Sequence, residues 1–303
     1  MDAFAPVRRF DRYQQRHKPP AVLVATLKKF SDDQAGNLAV VVAFYTFFSL
    51  FPLLLVFVTV LGYVLAGDPT LMHSVSNSVL GRFPVIGTSL SHEHLKGDAL
   101  ALILGLLLSL WSGSNVTSQM SSALERVWEV PRHERAGYVD RKLRGLLLLA
   151  VLGVFFIVAS AASGLVSGGL GVWPLKIVGY LFAIVLNFGL FLASFHFLCE
   201  EPPDRGQLVP GAAVAAILWT ILQSLGGIYL KHIGKSDSTY GTFALVLGIL
   251  TWLHLGTQMT LYCAEFNTVL SGKRWPRSLF DTHDDQPDHA RPLGGLTVGE
   301  VSE

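Results

Sequence analysis

Charge is scarce in this chain: Asp, Glu, Lys and Arg make up 15% of its 303 residues, against roughly 25% in a soluble domain. The length alone would suggest two soluble domains of about 150 residues each, but there are too few ionic side chains to cover their water-facing surfaces. Cysteine is nearly missing. Cys199 and Cys263 are the only two, which excludes the disulfide framework of a small secreted fold. Neither sign of charge predominates, since the net charge is only +1, and no nucleic-acid partner is expected. The period-2 alternation of a membrane-barrel strand is absent too. What abounds is apolar: 51% of the residues, with a mean hydropathy of +0.46. These proportions fit a polytopic membrane protein.

Six apolar stretches, about 38–66, 99–128, 143–169, 175–198, 208–232 and 241–271, are each long enough for the roughly 20 helical residues that cross a ~30 Å hydrocarbon core. In lipid the backbone must bond to itself, so such spans are helices and the expected fold is an all-α six-helix bundle. The first stretch starts too late and runs too long for a cleaved leader, whose apolar core is about 7–15 residues. It reads as an anchor. If the N-terminus is cytoplasmic, eighteen of the Lys and Arg residues fall on the inner side and five on the outer, so both termini are expected inside. The chain divides accordingly into a cytoplasmic segment 1–37, a membrane domain 38–271 and a tail 272–303.

Within the first segment, residues 20–30 are too short to span. They form either an interfacial helix, apolar side down with Lys28 and Lys29 toward anionic headgroups, or an entry helix packed on the bundle. The outer loop, about 67–98, carries Pro69 and Pro84 and reads as short helices and turns. From Asp281 onward the polar, acidic tail reads as disordered.

Three groups of residues carry a family likeness. They are Ala43 to Pro52 (AFYTFFSLFP) with Leu61-Gly62-Tyr63; Leu110 to Asn115 (LWSGSN) with Ala123 to Trp128 (ALERVW); and Tyr240 to Ala244 (YGTFA) with Trp252 and Tyr262 to Asn267 (YCAEFN). In this order, over roughly residues 20–275, the chain resembles the bacterial YihY / virulence factor BrkB family of inner-membrane proteins, formerly called ribonuclease BN. The resemblance implies a six-span inner-membrane protein without an agreed activity and without catalytic residues to carry over. In that family the nuclease name is regarded as a misassignment, and some members are linked to export of lipid-like or small anionic molecules.

At 100° per residue, Ser112, Asn115, Gln119, Ser122 and Arg126 fall in one stripe on the second span. Thr251, His254, Gln258, Tyr262 and Glu265 do the same on the sixth. A polar stripe turned to lipid would be costly, so both are expected to share one polar interior. Arg126 and Glu265 come at similar depth and are expected to pair, with Glu125 the competing partner for basic loop residues. Such a pair either fixes helix packing or forms the floor of an anion-headgroup or proton site. The first span adds Tyr45, Ser49, Pro52 and Thr59 on one face. Pro52 leaves the Phe48 carbonyl unpaired and is expected to bend the helix, a feature that serves either packing or a transport site.

Ser160, Gly164 and Gly168 on the third span, and Gly211 and Ala215 on the fifth, are small-residue faces for close helix approach, within the chain or in a homo-oligomer. Asn187, His196 and Gln223 read as isolated interhelical hydrogen bonds. Both cysteines read as apolar fillers.

Signals for an enzyme are weak. His92, Glu93 and His94 in the outer loop, and Asp281, His283, Asp284, Asp285, Asp288 and His289 in the tail, do not match a metal-ligand spacing. No phosphate-cradling or nucleophile-elbow motif has a strand to host it. No cofactor, metal or catalytic residue is expected, and the only hydrolase geometry conceivable is Ser112 or Ser122 with His254. The expected function is a transporter or flippase-like protein for an amphiphilic or small anionic substrate, on a path between the first, second and sixth spans. Membrane lipids or an anionic headgroup are its expected partners. The residues expected to carry it are Tyr45, Ser49, Pro52, Asn115, Gln119, Arg126, His254, Gln258 and Glu265. The alternative is a non-transporting envelope scaffold whose polar stripes serve packing alone.

Overall fold

The computed structural model describes residues 11, 13, 14, 16–65, 99–131, 133, 135, 137–167, 173–199, 203–233 and 239–276. Side chains are described for these apart from 58, 61–65, 101, 155–167, 173–178, 180, 224, 226–233, 239–242, 244 and 245. Among the described residues the chain forms seven helices and no strand: α1 Lys18–Asp32, α2 Ala35–Leu65, α3 Ala99–Val127, α4 Tyr138–Ser167, α5 Trp173–Phe197, α6 Arg205–Ile233 and α7 Thr239–Ser271. Helices α2 to α7 coincide with the six apolar stretches of the sequence. Within them, Ala35–Phe57 and Arg205–Gln223 are long and apolar enough to cross a membrane by length and composition. The outer loop with His92, Glu93 and His94, and the tail from residue 277, lie outside the described residues. So do the side chains of Ser160 and Gly164, and Gly168 entirely.

Helix α7 is the hub, touching α1, α2, α3 and α6, while α2 also packs extensively on α3 and α4 bridges α3 and α5. The shared core gathers Ala35, Ala39 and Val42 of α2, Ala123, Leu124 and Val127 of α3, Phe191 and Phe195 of α5, Ala212 and Ala215 of α6, and Leu261 and Ala264 of α7. Many of these are alanines, which let helix backbones approach closely where lipid offers no hydrophobic drive for association. Gly211 carries the closest approach. A Cβ there would sit 2.3 Å from the Cys263 carbonyl oxygen and 2.5 Å from Asn267 Cγ. Asn267 uses the proximity: its Oδ1 accepts from the Gly211 N–H at 2.6 Å and its Nδ2 donates to the Leu208 carbonyl at 3.1 Å. The small-residue face expected around Gly211 and Ala215 therefore packs within the chain, on α7. Helix α2 is helical on both sides of Pro52.

Helix α1 resolves the open reading of residues 20–30. Val22 and Ala25 pack with Val269 of α7, against Phe266, Leu270 and Trp275, so this is an entry helix seated on the bundle. Its outward face still presents Leu23 and Leu27, both well exposed. Lys29 is turned in rather than toward headgroups and is only 1% exposed.

The surface inverts the pattern of a water-soluble protein. Phe44, Phe48 and Phe51 on α2, and Leu104, Leu107 and Trp111 on α3, are all more than half exposed, whereas Glu125 and Glu265 are 0% exposed. Soluble monomers seldom expose contiguous apolar patches beyond a few hundred Å². A hydrocarbon surrounding removes the penalty. Cys199 and Cys263 are free and buried, filling apolar space as expected.

Candidate functional site

Two polar clusters stand out, at the basic end of the bundle. The first surrounds Lys29. Its ammonium donates to Asp33 of its own segment and to the Val127 carbonyl at 2.8 Å, and it lies 2.9 Å from Glu265 Oε2 and 3.5 Å from Glu129 Oε1. The backbone builds this site. Helices α3 and α7 both end in the same turn, with Glu129 (φ 57°) and Lys273 (φ 49°) in the left-handed conformation. The Val130 N–H bonds back to Glu125 O, and the Arg274 N–H to Val269 O. These are Schellman closures in which glycine usually occupies the left-handed position. Each turn sends a charged side chain across the gap, so that the Arg274 guanidinium forms a two-pronged pair with Glu129. One clasp thus ties α1, α3 and α7 together.

Burial opposes the charge of Glu129, but Arg274 and Lys29 outweigh it and hold its carboxyl below the ordinary range. A carboxyl lowered on folding adds stability that is present above the unfolded pKa and lost as pH falls through the folded one. Glu129→Gln is therefore expected to flatten the loss of thermal stability below about pH 4.3. Because the Glu129 side chain is 37% exposed, the effect should be small and should shrink in high salt. Melting scans at two ionic strengths check it, and an acid limb identical to wild type would refute the clasp's role.

The second cluster lies between α3 and α4. Arg141 donates to Glu125 Oε2 and to Ser122 Oγ, each at 2.9 Å. Lys142 donates to Ser114 Oγ at 2.9 Å and to Asn115 Oδ1. Arg144 reaches the Cys199 carbonyl at 3.2 Å, and Ser121 the Leu198 carbonyl, which joins α5 to the same seam. The two helices meet closely because Gly145 faces Thr117, where a Cβ would fall 2.1 Å from the hydroxyl.

Several expectations are thereby corrected. Arg126 does not pair with Glu265. Arg126 is exposed, and the ion pair of Glu265 is with Lys29. One residue of helix is 100° of rotation, and it is Glu125, not Arg126, that α3 turns inward. Its pairing with Arg141, a basic residue following the loop, is the competing arrangement expected of it. The two stripes also serve different neighbours. On α3, Asn115 and Ser122 meet α4; on α7, Tyr262 stacks on Phe30 of α1 at 3.6 Å between centroids and Glu265 meets Lys29. Among the described residues no hydrogen bond or ion pair joins Gln119 to Gln258.

Tyr45 is exposed, Ser49 donates to Thr46 O of its own helix, and Thr59 to Leu55 O. Ser112 likewise donates to Ser109 O, and Ser122 to Ser118 O, so neither serine is bonded to His254. His254 Nδ1 is buried without a hydrogen bond among the described residues, and so is His196 Nδ1, against expectation. Asn187 does make its interhelical bond, to Thr220 Oγ1 at 3.3 Å, and Gln223 is exposed. Among the described residues no group of His, Cys, Asp and Glu is placed to hold a metal ion.

A cavity of about 170 Å³ lies away from the expected path, lined on α3 by Thr117, Met120 and Leu124, on α4 by Leu148, on α5 by Phe191 and Phe195, and reached by Thr260 of α7. Sequence reasoning missed Lys142 and Asn267, turned Lys29 the wrong way, and left the basic partner of Glu125, Arg141, unnamed. The signal for Lys29 was present: it follows Val22 and Ala25 at helical spacing and shares their buried face.

The profile of a family described as virulence factor BrkB matches residues 26–288. A Dickeya dadantii protein is 27% identical over 78% of this chain and 79% of its own length. The inner membrane protein YhjD of Escherichia coli is 23% identical over 87% of the chain and 85% of its own length. A ribonuclease-like protein, YfkH, of Bacillus subtilis is 22% identical over 77% and 88%. No solved structure matches.

Proposed function

The chain belongs to the virulence factor BrkB family of membrane proteins, and from that premise we propose that it crosses the bacterial inner membrane six times, through α2 to α7, with both termini cytoplasmic. Its work, on this reading, is to move an amphiphilic or small anionic substrate, without nuclease or other enzymatic chemistry. The observation that carries it is the α3–α4 seam. Asn115, Gln119, Ser122 and Arg126 run down α3 toward the basic end, Ser122 bonded to Arg141 and Asn115 to Lys142, and Arg126 is exposed with no carboxylate paired to it among the described residues. Anions at the inner leaflet would be drawn to such a seam. The path is accordingly placed on the α4 side of α3, with Asn115, Gln119 and Arg126 as headgroup-binding residues. Pro52 and His254 keep their proposed places as a bending point and a proton carrier. Glu265 is assigned to the clasp.

The test is anion uptake and lipid scrambling in proteoliposomes. Arg126→Ala and Gln119→Ala are expected to lower flux at least about tenfold, equivalent to about 1.4 kcal/mol of lost interaction, with the melting temperature unchanged. Wild-type flux in both folded variants would overturn the site.

A scaffold without transport is the second reading, favoured by the hydroxyls of α3. Ser109, Ser112, Ser114, Thr117, Ser118 and Ser122 all donate to carbonyls of their own helix, so the stripe needs no ligand to be satisfied. It predicts variants that lose stability in place of flux.

A further inference from the structure

Lys142 differs from three cations near it at the basic end. Lys29, Arg141 and Arg274 each meet a carboxylate. Among the described residues the hydrogen bonds of Lys142 go only to neutral oxygens, those of Ser114 and Asn115. Its ammonium also lies 4.9 Å from the centroid of the Trp111 ring and 5.6 Å from that of Tyr138. Ring faces attract a cation without neutralising it, so its full positive charge is left for an anion. The two aromatics are 62% and 68% exposed and stand on the outside of the bundle, where Trp and Tyr characteristically sit at headgroup level.

What surrounds the cation is apolar. Leu107 lies one turn from Trp111 on α3, and Leu146 one turn from Lys142 on α4, on matching faces. Both are exposed. Helices α3 and α4 are consecutive and run in opposite senses across the proposed membrane, so both leucines lie on the bilayer-centre side of the ammonium. A cation flanked by aromatics, with an apolar rail rising from it, is complementary to a molecule bearing one anionic head and a hydrocarbon chain. A free anion would use only half of it.

We propose that Lys142, with Asn115, Trp111 and Tyr138, holds the phosphodiester of an anionic phospholipid of the inner leaflet, its acyl chain lying over Leu107 and Leu146. This rests on the reading that α3 and α4 cross the membrane, and it names the class of amphiphile that the α3–α4 seam meets first.

The experiment compares the protein in nanodiscs of phosphatidylglycerol mixed with phosphatidylethanolamine, released into native mass spectrometry, with phosphatidylcholine discs as the zwitterionic, net-neutral control. Wild type is expected to retain phosphatidylglycerol over phosphatidylcholine. Lys142→Ala should lose at least about tenfold of that preference, Lys142→Arg should keep it, and Trp111→Leu should weaken it, all at unchanged helical content. Inorganic phosphate at millimolar concentration should not displace the lipid. Equal retention by Lys142→Ala overturns the site, and displacement by phosphate reassigns it to a small anion and overturns the lipid. Should Lys142→Ala fail to fold, loss of preference in Trp111→Leu decides. Release of the wild-type chain from membranes by alkaline carbonate would instead sink the six-span reading beneath it.

Discussion

Replacing Lys29 by methionine is expected to destabilise the folded chain by about 3–5 kcal/mol, because removing one partner of a buried pair strands the other. Glu265 is 0% exposed, and Lys29 is its ion-pair partner among the described residues. Restoring neutrality should undo most of the loss. The double variant Lys29→Met with Glu265→Gln is expected to melt closer to wild type than Lys29→Met alone, since a buried pair replaced as a unit is often neutral or better. The pH dependence follows from Lys29. Burial works against its charge, but Glu265 and Asp33 outweigh it and hold its pKa above the ordinary lysine value. A cation raised on folding contributes stability that is complete below its unfolded pKa, about 10.4, and is lost only as pH rises through the folded value. The Lys29 contribution should therefore persist to about pH 9, and the deficit of Lys29→Met should narrow as pH falls and the stranded Glu265 carboxyl takes up a proton. Thermal melting in detergent checks both results, and a single variant within about 0.5 kcal/mol of wild type, the range of an unremarkable surface change, would remove the clasp as a structural element.

Gly211→Ala is the second large effect, expected to cost about 1–3 kcal/mol and to sit at the upper end of that overpacking range. The added methyl would meet the Cys263 carbonyl and Asn267 Cγ at 2.3 and 2.5 Å. One obstacle is backbone and the other is anchored by two hydrogen bonds, so neither yields cheaply. Gly189→Ala is the matched comparison. Nothing lies within 4 Å of a Cβ there, so the higher helix propensity of alanine should act alone and stabilise by up to about 1 kcal/mol. If the two substitutions have equal effects in melting experiments, the close approach of α6 and α7 is not as described.

The positions of the helices were legible because an apolar run of span length admits one backbone solution in lipid. Helix periodicity also told which side of α3 and α7 is polar. It could not tell which neighbour that side meets: the stripe of α3 finds Arg141 and Lys142 on α4, and that of α7 finds Phe30 and Lys29 on α1. Depth along the membrane made Arg126 and Glu265 look like partners, but depth fixes one coordinate and rotation another. Lys29 was misplaced for a related reason. A lysine in a short apolar helix reads as headgroup-facing when burial is inferred from residue type, whereas Glu129 and Glu265, which join Asp33 in allowing it inside, come from chain far downstream.

That distance has a bearing on how the protein is made. Lys29 leaves the ribosome well before Glu129, and Glu129 well before Glu265 and Arg274, so the knot that gathers them can close only once α7 has emerged. A chain cut short before α7 would leave Lys29 without Glu265, and is expected to be degraded faster than the intact chain.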